Sequence, residues 1–247
     1  MPQNMESNQS HALSEWVLLA PLFAVLSIWT VYWAEIQFGM NLNHLGVYPR
    51  TLEGFRGVLF SPFIHGSVEH LYNNTVPLAV LISFMVHFYR DVALKVLVIG
   101  VLLCGLITWL IARPAHHIGA SGMIYVMATF IFFKGIFAKH YRLVALSLIV
   151  VFIYGSMIWY IFPIKEDISW EGHLSGFITG LSLALAIKVR LPAELKYEWE
   201  QKDYSEGNDP FLRHFDQDGN FIENLEEGKD GPVGIKYHYR DHKEPGP

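Results

Sequence analysis

The apolar residues of this chain are gathered into six blocks of about twenty, and this grouping constrains the fold more than any other feature. A helix of roughly 20 residues rises about 30 Å, which is the thickness of the hydrocarbon core of a bilayer. Only 17% of the 247 residues are charged, whereas soluble domains carry about a quarter. The pattern predicts an all-α integral membrane protein with transmembrane helices over Trp16–Ala34, Val68–Phe88, Val92–Ala112, Ser121–Ala138, Leu143–Phe162 and His173–Val189.

The charges divide the chain into two regions. Residues 1–190 contain 11 basic and 9 acidic side chains, whereas residues 191–247 contain 7 basic and 14 acidic ones. We therefore predict a cytoplasmic segment over 1–15, a membrane domain over 16–190, and an acidic cytoplasmic tail over 191–247. The tail is expected to be mostly disordered, apart from a small hairpin at Phe215–Glu223. Neither region has the basic surface of a nucleic-acid-binding protein, so no nucleic-acid partner is expected.

The loops indicate the orientation of the chain in the membrane. Basic residues are concentrated after the second, fourth and sixth blocks, and this bias places both termini in the cytoplasm. Those three blocks then enter the membrane from its outer face. The long segment 35–67 is too apolar for a solvated loop, and Gly and Pro interrupt it too often for a span. We expect it to lie in the membrane interface.

Polar residues are clustered where the second, fourth and sixth blocks begin. Polar groups inside a bilayer cost free energy, so such residues usually mark a functional site. Because the three blocks enter from the same side, their clusters are expected at one depth. The members are His65, His70, Asn73 and Asn74 in the first cluster, His116, His117 and Ser121 in the second, and His173 in the third.

Ser121 and His173 have the chemistry of a nucleophile and its base. A serine hydroxyl attacks a carbonyl only when a base removes its proton, and neutral imidazole is the usual base. The helical rise places both residues about 10 Å below the outer boundary of the membrane. Ser121 also begins a helix, where free backbone N–H groups can bind an oxyanion, and Asn74 is positioned to add a side-chain donor. His70 lies one turn before Asn74 on the same face.

Small and aromatic residues support this arrangement. Gly119 and Gly122 flank Ser121 and allow close approach of backbone or substrate. Tyr125 lies one turn after Ser121, so its ring is positioned to stack on an imidazole. Small residues four apart allow a neighbouring helix to come close, and in the sixth block they are Gly172, Gly176 and Gly180.

The sequence also allows other interpretations of the same residues. Glycines in membrane helices commonly serve packing alone, and an intramembrane serine commonly bonds to its own helix. His116 and His117 are interpreted as interfacial loop residues. A metal site at His65–His70 is disfavoured because the spacing differs from that of zinc proteases, so no metal is expected. Cys104, the only cysteine, is interpreted as a buried apolar residue.

Taken together, the motifs resemble the rhomboid family of intramembrane serine proteases, over about Glu53 to Val189. In that family a Glu-x-Trp-Arg pattern is typical of the first loop, and here the corresponding stretch has Phe55 in place of tryptophan. The stretches that carry the resemblance are Glu53-Gly54-Phe55-Arg56, His70 with Asn74, Gly119-Ala120-Ser121-Gly122 with Tyr125, and Gly172-His173 with Gly176 and Gly180.

The resemblance implies a six-helix rhomboid-like bundle and a serine endopeptidase that requires no cofactor. Ser121 would be the nucleophile and His173 the general base, and Asn74, His70 and the Ser121 N–H would form the oxyanion hole. The implied partners are membrane lipid and single-pass membrane proteins, cleaved near the outer face of a bacterial cytoplasmic (inner) membrane. The alternative is a non-proteolytic relative that binds client transmembrane segments. A transporter would require broken helices and an inverted repeat, neither of which the sequence shows.

Overall fold

The computed structural model describes residues 15–165, 168–190, 197–200, 202–205, 207, 209, 211–216 and 218–222. The chain divides into two compact units, residues 1–191 and 192–247. Among the described residues of the first unit, the regular elements are helices, and one isolated bridge pairs Val47 with His117. Within the described residues, five helical segments are long and apolar enough to cross a membrane, and the segment of the predicted sixth span forms a 17-residue helix, Trp170–Ala186. The predicted all-α, multi-pass membrane fold is therefore confirmed.

The helices follow one another with short connections, except in the segment before the second span. The longest connection, between the first and second spans, contains two short helices and two 3-10 turns. The elements are α1 (Trp16–Phe38), α2 (Leu52–Phe55), α3 (Gly57–Phe60), α4 (Val68–Phe88), α5 (Arg90–Ile111), α6 (Ser121–Ala138), α7 (Tyr141–Tyr154) with a 3-10 continuation (Gly155–Ile161), and α8 (Trp170–Ala186).

Several helix ends differ from the predicted blocks, and the structure shows a local cause at two of them. Helix α1 continues past Ala34 to Phe38, where Gly39 takes the left-handed conformation (φ 61°) that ends a helix. Helix α8 begins three residues before His173, because the hydroxyl of Ser169 accepts the N–H of Gly172 and caps the first turn. His173 is therefore the fourth residue of α8 and does not open it.

Helix α6 is the centre of the bundle. It packs against α4, α5, α7 and α8. Half of the residues in its most apolar 18-residue stretch are buried, whereas in the corresponding stretch of α1 the buried share is 17%. Met127 and Phe130 in its middle are completely enclosed. Ser121, at the start of this central helix, therefore lies where several helix ends meet.

The segment 39–67 packs closely on its neighbours through backbone contacts. A side chain at Gly57 would overlap the backbone of Val47, and one at Gly105 in α5 would lie 2.8 Å from Val58. Arg50 donates to the carbonyl of Leu110 at 3.0 Å and so bonds to the carboxyl end of α5. The Gly57–Val47 contact lies within the segment, whereas the contacts of Val58 and Arg50 attach the segment to α5. Its location in the membrane interface stays a prediction.

The second unit contains short elements within its described residues. These are 3-10 turns at Glu198–Glu200 and Leu212–His214 and an antiparallel bridge between Phe215 and Phe221. The bridge lies where a hairpin is predicted, and Gly219 (φ 80°) supplies the left-handed residue of its turn. The predicted end of the hairpin at Glu223, like the amino-terminal residues 1–14, lies outside the described residues.

Candidate active site

The side chains of Ser121 and His173 meet where α6 and α8 begin. His173 Nε2 lies 3.0 Å from Ser121 Oγ, and His173 Nδ1 lies 3.0 Å from the carbonyl oxygen of Tyr160. A carbonyl oxygen only accepts hydrogen bonds, so Nδ1 carries the proton of the neutral ring and Nε2 keeps its lone pair. The hydroxyl of Ser121 then donates to Nε2. This is the tautomer that a general base for Ser121 requires.

Tyr160 contacts the candidate site, although the sequence did not indicate it. It lies in the 3-10 continuation of α7, inside a stretch predicted as part of an apolar span. Its backbone carbonyl occupies the place that a carboxylate occupies in a three-member serine site, where it orients the histidine. Glu171, close to His173 in the sequence, instead directs its carboxylate to Arg113: Oε1 accepts the Arg113 N–H at 3.2 Å and lies 3.7 Å from Nε.

The ring of Tyr125 stacks on the imidazole of His173. The ring centroids are 4.4 Å apart and the planes are inclined by 16°. The phenol donates to the carbonyl of Met157 at 2.6 Å, which holds the tyrosine at its far end. His173 is therefore confined by the stacked ring of Tyr125, the carbonyl of Tyr160 and the hydroxyl of Ser121.

Two of the predicted packing glycines bring α8 directly onto the backbone of α6. A Cβ atom at Gly176 would overlap the carbonyl oxygen of Gly122, and one at Gly180 would lie 2.5 Å from the carbonyl oxygen of Val126. This spacing holds the first turns of the two helices together. A side chain at Gly122 would lie 2.9 Å from Cys104 Sγ, so Gly122 contacts α5 as well.

Gly172 does not belong to this packing stripe, contrary to the prediction. A Cβ atom there would lie 2.9 Å from the hydroxyl of Ser169, in the capped first turn of its own helix. The reason is the earlier start of α8, which places Gly172 among the terminal N–H groups that a cap must satisfy.

The candidate oxyanion donors on α4 lie beside Gly119, two residues before Ser121. Gly119 has φ 106°, and a side chain there would lie 2.7 Å from the ring of His70 and 3.9 Å from Asn74 Nδ2. One hydrogen of the Asn74 amide is donated to the carbonyl of His70 at 2.8 Å, which leaves its second hydrogen for a ligand. The N–H of Ser121, in the first turn of α6, has no intrahelical acceptor.

The remaining histidines of the three clusters differ in burial. His65 is enclosed, and its Nε2 accepts the N–H of Ala120 at 3.4 Å. His117 is also buried, although the sequence placed it in an interfacial loop like its exposed neighbour His116. It is a loop residue, but its ring is enclosed because it bonds to Ser169 and to the backbone. Within the described part of the chain, no group of three His, Cys, Asp or Glu side chains is placed to hold a metal ion.

Protonation of His65 is expected to destabilise the protein. Burial, and secondly the nearby charge of His70, lowers the pKa of His65 from 6.5 to about 4. Between these two pH values the unfolded chain binds a proton at His65 that the folded protein does not bind. The contribution of His65 to the free energy of unfolding is therefore fully present above pH 6.5 and is lost as the pH falls towards 4. In detergent, His65→Gln should flatten the pH dependence of the unfolding temperature in this window. His116→Gln is the control, and an unchanged slope in His65→Gln would contradict the assignment.

Comparison with known proteins identifies the family of the chain. The family model described as Rhomboid domain matches residues 53–190. Over 160 residues the chain is 34% identical to Uncharacterized protein Rv1337 of Mycobacterium tuberculosis (strain H37Rv) and to Uncharacterized protein Mb1372 of Mycobacterium bovis. The matched stretch is 61% of this chain and 67% of each relative. It is 31% identical over 163 residues to Uncharacterized protein ML1171 of Mycobacterium leprae, or 60% of this chain and 62% of that one. Since the family model spans more than half of its length, this multi-pass membrane protein belongs to the rhomboid family.

Proposed function

We propose that the protein is an intramembrane serine endopeptidase that uses Ser121 as nucleophile and His173 as general base. The observation that carries the proposal is the 3.0 Å contact between Ser121 Oγ and His173 Nε2, with Nδ1 bonded to the carbonyl of Tyr160. The hydroxyl has a base in position, and the base is held in the tautomer that accepts a proton. A serine that served packing alone would not require an oriented imidazole.

The arrangement supports acyl transfer in two steps. Ser121 Oγ attacks the substrate carbonyl while its proton moves to His173 Nε2, and the oxyanion is stabilised by the Ser121 N–H, Asn74 and His70. Collapse breaks the peptide C–N bond as Nε2 returns the proton to the leaving nitrogen, which leaves an acyl ester on Ser121. Water then attacks the ester and gives its proton to Nε2, and Ser121 is released with that proton as the new carboxylic acid departs.

Water has space to reach the ester. A cavity of about 40 Å³ adjoins Ser121 and extends between the 3-10 turn at Ser61–Phe63, α5 and the first turn of α8. A buried water needs about 10–15 Å³ and two to four polar partners. The cavity is large enough for one, and its polar lining consists of Ser61, Thr108, His117, Ser121 and Ser169.

The proposed substrates are transmembrane segments of single-pass proteins. A helix engages its own carbonyls in hydrogen bonds, so the scissile stretch must unwind before Ser121 reaches it, and Gly, Pro or polar residues favour this. We place the chain in a bacterial inner membrane with both termini in the cytoplasm. In this orientation α6 begins near the outer face, at Ser121, and runs inward. Cleavage is then expected near the outer face, at a small residue.

Cleavage by the purified protein tests the proposal. The wild-type chain in detergent should cut a labelled panel of single-pass membrane segments, and Ser121→Ala should lose at least about 10⁴-fold in rate because the nucleophile is gone. Ser182→Ala is a matched control, since Ser182 bonds to the carbonyl of Ile178 in its own helix. Equal cleavage by Ser121→Ala would overturn the assignment. No cleavage of the panel by wild type would favour a client-binding, non-proteolytic protein.

A further inference from the structure

A second serine–histidine pair lies beside the first. Residues 117–121 and residues 169–173 adjoin each other, and hydrogen bonds join them at both ends. At one end His173 Nε2 lies 3.0 Å from Ser121 Oγ, and at the other His117 Nδ1 lies 2.6 Å from Ser169 Oγ. In both segments the paired residues are four positions apart. The two side-chain contacts and the two backbone stretches therefore form a closed ring.

The hydrogen-bond direction in the second pair follows from its neighbours. His117 Nε2 lies 3.0 Å from the carbonyl oxygen of Arg113, so Nε2 carries the proton and Nδ1 accepts. The hydroxyl of Ser169 donates to Nδ1 and accepts the N–H of Gly172 at 3.3 Å. The carbonyl of Ser169 accepts the backbone N–H of His173 at 3.2 Å. Ser169 is thus bonded to His117 on one side and to the first turn of α8 on the other.

His117 is itself held firmly. Its backbone N–H and carbonyl both bond to Val47, at 2.9 Å and 3.0 Å, and its ring is buried. The stretch from His117 to Ser121 is further fixed by the N–H of Gly119, which donates to the carbonyl of Ser61 at 2.8 Å. The imidazole of His117 is therefore fixed relative to Ser121. Its bond to Ser169 fixes the first turn of α8 relative to Ser121 as well.

We propose that His117 is a positioning residue that, through Ser169, sets the place of His173 relative to Ser121. This proposal rests on the proposed protease function. The first turn of α8 has weak intrahelical support at its N–H groups, because those groups lack partners within the helix. Without the His117–Ser169 bond, that turn loses its attachment to the residues before Ser121, although Glu171 still bonds to Arg113. Displacement of a catalytic group by 1 Å can cost about 10²-fold in rate.

The test compares variants of both pair members by their reaction with a serine-reactive fluorophosphonate and by kcat and KM for a cleaved segment. His117→Leu and Ser169→Ala should each slow labelling by about 10- to 100-fold, with a loss in kcat and little change in KM. The double variant should be about as slow as Ser169→Ala, because that variant already lacks the His117–Ser169 bond, together with the bond from the hydroxyl to the Gly172 N–H. His117→Asn should recover most of the rate, since its amide oxygen can replace Nδ1 as the acceptor. His116→Leu, at the exposed neighbour, is the matched control.

Three results would overturn the positioning role. They are losses that multiply in the double variant, His117→Asn as slow as His117→Leu, or a lowered unfolding temperature with normal labelling of the folded protein. Wild-type protein that neither reacts with the probe nor cleaves any segment would instead overturn the protease function on which the proposal rests. The two failures are therefore distinguishable.

Discussion

Replacing His173 with alanine should lower the rate of substrate cleavage by about 10⁴- to 10⁶-fold, as expected when a hydrolase loses its base. The alanine leaves the hydroxyl of Ser121 without an acceptor at Nε2 and leaves the ring of Tyr125 without its stacked partner. Binding of the segment should change little, because the imidazole takes the proton only in the reaction. The measurement is kcat and KM for a fluorescent transmembrane peptide in detergent.

The control for this variant is His44→Ala, at an exposed histidine whose ring bonds to the carbonyl of Asn41. It should retain the wild-type rate. If His173→Ala kept more than about a tenth of the wild-type kcat, the imidazole could not be the base, since general acid–base catalysis contributes at least about 10²-fold.

Gly176→Ala should reduce both the stability and the activity of the protein. The added methyl group would overlap the carbonyl oxygen of Gly122 and lie 2.7 Å from the Cβ atom of Tyr125, so α8 must move away from α6. Overpacking of this kind costs about 1–3 kcal/mol. Because α6 and α8 also hold Ser121 and His173, we expect a separation of about 1 Å to slow catalysis by about 10²-fold.

Thermal unfolding in detergent and cleavage of the same peptide measure these two effects. Gly155→Ala is the matched control: Gly155 has helical torsion angles, and an added Cβ would meet only Val151 Cγ1, at 3.4 Å. It should leave both quantities near their wild-type values. An unfolding temperature and rate in Gly176→Ala equal to those of Gly155→Ala would contradict the described contact between α6 and α8.

The apolar blocks predicted the spans because a bilayer dictates the length and composition of a helix that crosses it. They could not predict the start of α8, which depends on a cap at Ser169 outside the block. The meeting of Ser121 with His173 was predicted from their common depth, from the small residues of the sixth block and from the family resemblance. A two-residue shift along α8 would have rotated His173 away, so only the structure could establish the contact.

Two parts of the site leave almost no signal in the sequence. The group that orients His173 is a backbone carbonyl, and every residue has one, so nothing distinguishes Tyr160 before the 3-10 turn after α7 is known. The pair of His117 with Ser169 joins two loop residues 52 positions apart. The one available signal was the matching spacing of four residues from His117 to Ser121 and from Ser169 to His173.

Activation of the Ser121 hydroxyl by His173 is the step on which the proposed function depends. The most direct measurement is reaction of the folded protein with a fluorophosphonate, followed by mass spectrometry of its peptides. We expect one covalent adduct, on Ser121, that is absent from Ser121→Ala and reduced to background in His173→Ala. An adduct on another serine that persists in Ser121→Ala, or an unreactive Ser121 in folded wild-type protein, would contradict it.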